Sequence, residues 1–372
     1  MFPKYTNFAV IKVLCYMNRL ECSALRGIAI LGIVLHNFAH QLPGAALENE
    51  FAFNAERNAY FWQSLISSDW LIHIFSYTGH LGVPVFVFLS GYGLVQKYDK
   101  CERIKIVDFL KSHYKKLFVP MLIGTFFYLV VSLVIKGQFT FFIPRLIVQC
   151  SLLLNLVYPY EMHFSPGPYW YFGMTMQLYV IYVFLLYKKS LKTLAVLTIV
   201  SVMAQFLLYE NESVLAWVRY NSIGWLLPFL LGILMARNNF ELEGKKQYMY
   251  VSMGMLMILL VVMSFNFFMW LFIPCVFILL SICVIKILPE IIIKPFGVIG
   301  SISLYIFVVH PIIREIMMPL AHISNAPYVC WLTYGILTIF IAFVISNANV
   351  IVSCKSFIRY VWYLFRTRDK TN

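Results

Sequence analysis

A chain of 372 residues that is 61% hydrophobic and only 12% charged, with mean hydropathy +0.80, falls outside the ordinary soluble domains, whose apolar share is about 45–50%. Its formal charge of +13 would suit nucleic acid, but in so apolar a chain the basic residues first have to be placed in loops between membrane spans. The eight cysteines form no CxxC pair or zinc-type spacing and most stand inside apolar runs, so neither a disulfide framework nor a metal site is expected.

Residues 1–18 hold Lys4, Lys12 and a broken apolar run without a small-residue cleavage site, so the first span itself is expected to direct insertion. Apolar runs approaching the ~20 residues that cross hydrocarbon at 1.5 Å rise lie at 22–40, 78–96, 117–135, 169–187, 193–209, 222–236, 248–267, 270–286, 297–313 and 328–350. The run 140–157 is interrupted by Pro144, Arg145, Gln149 and Asn155 and reads as a re-entrant or interfacial segment.

Loop charges set the orientation. Between 97 and 116 stand Lys97, Lys100, Arg103, Lys105, Lys111, Lys115 and Lys116, whereas 41–77 holds Glu48, Glu50, Glu56 and Asp69 against Arg57 alone. The alternation continues with Lys188, Lys189 and Lys192 inside, Glu210 and Glu212 outside, and Arg237, Lys245 and Lys246 inside, provided 140–157 is not a full crossing. The expected architecture is all-α: a polytopic transmembrane helix bundle of about ten spans with one re-entrant or interfacial segment and both termini cytoplasmic. One membrane domain takes 1–355 and a basic cytoplasmic tail 356–372. No internal repeat is evident.

Ionisable groups inside spans are costly and therefore mark sites. The first span reads Leu25-Arg26-Gly27-Ile28-Ala29-Ile30-Leu31-Gly32-Ile33-Val34-Leu35-His36-Asn37-Phe38-Ala39-His40, placing His36 about 15 Å along the helix from Arg26. Arg26 alone serves equally as a snorkelling anchor, and His36 alone equally as a structural histidine or as a general base toward a hydroxyl. The second span carries Phe88-Leu89-Ser90-Gly91-Tyr92-Gly93, whose small residues suit close helix approach as well as ligand approach. A late span carries Ser301-Ile302-Ser303-Leu304-Tyr305-Ile306-Phe307-Val308-Val309-His310-Pro311, where His310 fits a kink as well as a site.

Taken together with the basic run Lys111-Ser112-His113-Tyr114-Lys115-Lys116-Leu117-Phe118-Val119-Pro120, Pro168-Tyr169-Trp170-Tyr171-Phe172 and Gln177-Leu178-Tyr179, these motifs resemble the acyltransferase-3 family of bacterial membrane O-acyltransferases. The resemblance runs from residue 20 to about 315. It implies transfer of an acyl group, often acetyl, from cytoplasmic acyl-CoA to a hydroxyl of a surface glycan or lipid-linked sugar, in the bacterial cytoplasmic (inner) membrane. It implies His36 and Arg26 as the catalytic pair, with Ser90, Tyr92, Lys115 and Lys116 on the donor side. Tyr169, Trp170, Tyr305 and His310 fall on the acceptor side, although Tyr169 and Trp170 fit an interfacial aromatic belt equally well. Acyl-CoA is a substrate; no cofactor is held permanently, and the partners are the bilayer, acyl-CoA and the acceptor rather than nucleic acid. The family places ten residues between arginine and histidine, a position that Asn37 occupies here. His36 comes one residue early, about 80° out of line on a regular helix; a local bulge or an altered helix start would restore the alignment, and His40 one turn on is the alternate base. Lys115 and Lys116 stand where the family commonly has arginine, keeping charge and losing the bidentate fork. A secondary transporter or flippase would share the spans and the polar residues, but commonly shows repeats and paired broken helices.

Overall fold

The computed structural model describes residues 13–14, 17–137, 143–157, 166–238, 241–242, 246–324 and 326–347; the basic tail expected at 356–372 lies outside them. Hydrocarbon offers the backbone no hydrogen-bond partner, so a chain this apolar has to close its amide bonds within helices. The described chain is accordingly helical, with a single two-residue antiparallel pairing of Val13–Leu14 with Glu241–Leu242.

The helices in chain order are α1 (Arg19–Ala39), α2 (Ala55–Ser64), α3 (Trp70–Thr78), α4 (Gly82–Tyr98), α5 (Ile106–Lys136), α6 (Ile143–Cys150), α7 (Trp170–Ile181) and α8 (Leu191–Phe206). They continue with α9 (Glu212–Tyr220), α10 (Ser222–Asn238), α11 (Lys246–Met263), α12 (Phe267–Trp270), α13 (Ile273–Ile287), α14 (Glu290–Ser301), α15 (Ser303–Ile323) and α16 (Pro327–Asn347).

Among the described residues, six segments are long and apolar enough to cross a bilayer: α1, the run Trp70–Tyr98 that joins α3 to α4, α5, Gly167–Leu186 around α7, α15 and α16. Helices α9 and α10 meet at 49° and make a seventh if taken as one bent span, while α8, α11 and α13 are shorter apolar helices. Each segment read from the sequence as a crossing overlaps one of these helices. Among the described residues of the interrupted run, 143–157, stand the eight residues of α6 and a 3-10 turn at Leu154–Leu156. The ninth segment shifts: the chain bends at Ile302, so the crossing helix is Ser303–Ile323, not 297–313, and Glu290–Ser301 packs separately on α1.

Helix α1 sits at the centre, packed against α3, α4, α13, α14, α15 and α16. Its contact with α14 is close because side chains are missing on both sides. A Cβ at Gly27 would run into the Phe296 carbonyl, and one at Gly300 into the Ser23 carbonyl. Ser23 Oγ then donates to Gly297 O at 2.8 Å. Ion pairs tie helix ends at the Arg26 side of the bundle: Glu21 of α1 with Lys286 of α13 at 2.9 Å, and Asp99 after α4 with Arg237 of α10 at 2.7 Å. Arg237 also donates to the Leu186 and Lys189 carbonyls, so it closes the end of the span around α7 as well. Replacing Gly300 with Leu is expected to wedge α14 off α1 and cost about 1–3 kcal/mol of stability; a melting temperature left unchanged in detergent would contradict this packing.

Candidate functional site

The site begins where α3 and α4 press on α1. A Cβ on Gly79 would lie 2.6 Å from His36 Cβ, so only glycine lets the chain pass this close to the histidine. The close pass puts the Ser76 carbonyl 2.8 Å from His36 Nδ1. A carbonyl only accepts, so Nδ1 carries the proton and Nε2 is left with the lone pair. His36 is 4% exposed, yet it lines a cavity of about 320 Å³ beside Asn37, His40, Glu48, Glu50, His80 and Arg314.

His40, one turn on, stacks on His36 with ring centroids 4.7 Å apart and donates from Nδ1 to the His36 carbonyl at 2.9 Å. His80 approaches edge-on at 5.7 Å. Helix α1 runs unbroken from Arg19 to Ala39, without a bulge. None is needed, because His36 and Asn37 both face the cavity. Asn37, aligned with Arg26 to within about 20°, accepts from Arg314 of α15 through its carbonyl at 3.1 Å and its Oδ1 at 3.2 Å.

Two carboxylates complete the cavity, and both come from the loop between α1 and α2. That loop is tied inward at Ala46, Asn49 and Glu50. Ser76 Oγ donates to Ala46 O at 2.6 Å, Trp270 Nε1 to Asn49 O at 2.8 Å and Arg219 Nε to Glu50 O at 2.7 Å. Arg219 is itself buried; it donates to Gln205 Oε1 at 2.9 Å and lies 4.3 Å from the Trp270 ring centroid.

So held, Glu48 and Glu50 bring carboxylate oxygens within 4.8 Å of each other and of a His36 ring nitrogen. Burial alone would push the Glu48 carboxyl up, but the imidazoles of His36, His40 and His80 hold it below its usual range. Glu50 is pushed well above its ordinary value by deeper burial and by Glu48, with Arg219 opposing. Burial lowers His40 while Glu48 draws it back. Glu48 Oε2 and Glu50 Oε1 are buried without hydrogen-bond partners among the described residues. Among the described residues, His36, Glu48 and Glu50 are the one grouping close enough to hold a metal ion.

The wall opposite α1 is aromatic. Phe51 stacks on Tyr220 at 3.9 Å, and Trp170 meets both rings edge-on at 5.3 and 5.6 Å. Trp170 and Tyr171 line the cavity. Tyr169 does not: it is 1% exposed and its hydroxyl donates to Val308 O at 2.9 Å. Neither Tyr169 nor Trp170 forms a lipid-facing belt. Tyr305 lies on the far side of α15, in an apolar groove with Pro120, Phe127 and Ile345. His310 is fully buried one ring from the cavity, 5.5 Å from Phe307, in a helix that Pro311 does not interrupt.

Toward the Arg26 end the site narrows to hydroxyls. Tyr171 and Tyr179 both approach Ser90, within electrostatic reach of Arg26. Beyond them the His113 ring lies 4.6 Å from Tyr179 and within electrostatic reach of Lys97 and Lys116. Lys115 and Lys116 are exposed. Tyr92 stands apart from this line, its hydroxyl 3.2 Å from the Met17 amide in the main core.

The fold and this cavity define a multi-pass membrane protein with a histidine, carboxylates and arginine enclosed among its spans. The family model Acyl_transf_3, described as an acyltransferase domain, matches residues 20–347, and the chain belongs to that family. No curated protein and no solved structure matches it. The residues missed from the sequence are Glu48 and Glu50, which count there only as outer-loop charge, and Arg314, one turn beyond His310. Replacing Arg219 with Ala is expected to free the loop, raising hydrogen exchange at residues 46–54 by about tenfold or more. Unchanged exchange would mean that the guanidinium is not what holds it.

Proposed function

We propose that this acyltransferase is an O-acyltransferase of the acetyl-transferring type, working in a bacterial cytoplasmic membrane. It moves the acyl group of cytoplasmic acetyl-CoA, or another acyl-CoA, to a hydroxyl of an extracytoplasmic polysaccharide or lipid-linked sugar. The observation that carries this reading is His36 itself, with Nδ1 held by the Ser76 carbonyl and its basic nitrogen left for the cavity.

In the proposed step the acceptor hydroxyl gives its proton to His36 Nε2 as its oxygen attacks the thioester carbonyl. The carbon–sulfur bond then breaks, the acyl ester forms, and the imidazolium returns the proton to the departing thiolate. The Glu48 carboxylate, close to the ring, steadies the positive charge while it exists. The aromatic wall of Trp170, Tyr220 and Phe51 suits the apolar face of a sugar ring. On the donor side, Lys115 and Lys116 would meet the phosphates at the inner surface, while Arg26 and Ser90 flank the way to the cavity through Tyr171. Tyr92, with its hydroxyl on the Met17 backbone, supports the span that carries Ser90.

Membership of the acyltransferase family favours covalent transfer over carriage of an unmodified substrate. The test uses membranes with labelled acetyl-CoA and cell-wall glycan. Replacing His36 with Ala is expected to lower transfer by at least about 100-fold while the protein stays folded. Retained transfer would reject His36 as the base and hand the role to His40, whose Nε2 is likewise left free by its bond to the His36 carbonyl.

A further inference from the structure

A base for the hydroxyl proton is half of what acyl transfer requires, because negative charge also builds on the thioester oxygen as the tetrahedral species forms. Resting on the acyl-transfer reading above, we infer that Arg314 is the catalytic group that holds this oxyanion.

Arg314 is 8% exposed, inside a membrane span, and has no ion pair among the described residues. A buried guanidinium without a counter-ion is costly and persists where an anion is to be met. Its neighbour in sequence shows the contrast. Glu315 turns the other way, toward α5, where Lys136 pairs with it at 2.6 Å and the Tyr128 and Ser132 hydroxyls donate to it. The two opposite charges therefore do not neutralise each other, and the fold compensates only the acidic one.

What Arg314 has is a tether. One terminal nitrogen donates to both oxygens of Asn37, the residue next to His36, and the side chain lines the same cavity as His36. Guanidinium offers five N–H donors in a planar fork, so fixing one nitrogen orients the others. The tether places them beside the base rather than at the rim.

Two neighbouring basic side chains are otherwise engaged. Arg219 is taken up by Glu50 O, Gln205 and the Trp270 ring, and His40 Nδ1 by the His36 carbonyl. Arg26 does not line the cavity. In the balanced step, the hydroxyl proton moves to His36 and the carbonyl π electrons move onto oxygen, where Arg314 meets them. Those electrons re-form the carbonyl as the thiolate leaves.

The test measures initial rates of labelled acetyl transfer from acetyl-CoA to endogenous glycan in membranes, across a range of acetyl-CoA concentrations. Arg314→Gln is expected to lower kcat by about 100-fold or more with little change in KM, and Arg314→Lys to recover part of the loss. Adding guanidinium ion to Arg314→Ala is expected to restore measurable turnover, which a purely structural role would not allow. Asn37→Ala, which cuts the tether and keeps the charge, should lower kcat by about tenfold and serves if the Arg314 variants fold poorly.

A raised KM with kcat intact would overturn the assignment in favour of ground-state binding, as would full activity of Arg314→Gln. If Arg314→Gln is active while His36→Ala is dead, this inference alone fails. If His36→Ala is active, the base passes to His40 and this inference stands or falls on the Arg314 variants alone; if the wild-type protein transfers no label, the acyl-transfer reading beneath it fails.

Discussion

The arrangement of this protein depends on how closely the α3–α4 span can lie against α1. Gly79 permits it, and the consequence is the hydrogen bond from His36 Nδ1 to the Ser76 carbonyl. That one bond fixes the tautomer, fixes the ring, and leaves the other nitrogen as the basic one. Ser76 has a second part in the same place: its hydroxyl donates to the carbonyl of Ala46, in the α1–α2 loop that brings Glu48 and Glu50 to the cavity. A methyl group at Gly79 would therefore disturb the base and the loop above it together.

Polar groups enclosed among membrane spans have to be satisfied by protein, and the way each one is satisfied separates structure from chemistry. Asn155 gives its amide to the Trp170 and Tyr220 carbonyls and takes hydrogen bonds from Trp217 and Asn221, so it serves to hold α7 against the bent α9–α10 pair. Arg219 likewise gives hydrogen bonds to Glu50 O and Gln205 Oε1 and lies against the Trp270 ring. By contrast Glu48, Glu50 and Arg314 keep polar atoms turned to one cavity, and His36 keeps its lone pair there. The ionisable groups of the cavity thus keep bonding capacity on the side that faces it.

Much of this was legible in the sequence, and the reasons follow length scale. Apolar runs near the thickness of a bilayer mark helices whatever they pack against, and an imidazole in such a run at His36 stands out. The break at Ile302 was marked only by Gly300, Ser301 and Ser303 within an otherwise apolar run, too weak a signal to move the span; in the structure α14 ends at Ser301 and packs on α1. The one-residue offset of His36 from the family spacing suggests a bulge or an altered helix start. In the folded chain it gives the cavity two adjacent side chains, one with Nδ1 on the Ser76 carbonyl and one holding Arg314. The carboxylates were hidden for a different reason: Glu48 and Glu50 look like ordinary outer-loop charge. They are carried inward by Arg219 and Trp270, which lie 169 and 221 residues from their partners in the loop.

The central claim is that a loop carboxylate and a membrane-embedded histidine form one catalytic site. Glu48→Gln tests it most directly, since it keeps the shape of the side chain and removes the charge beside the ring. The account predicts folded protein, unchanged KM for acetyl-CoA and a fall in kcat of about tenfold to 100-fold for labelled acetyl transfer. Wild-type kcat in that variant would contradict it.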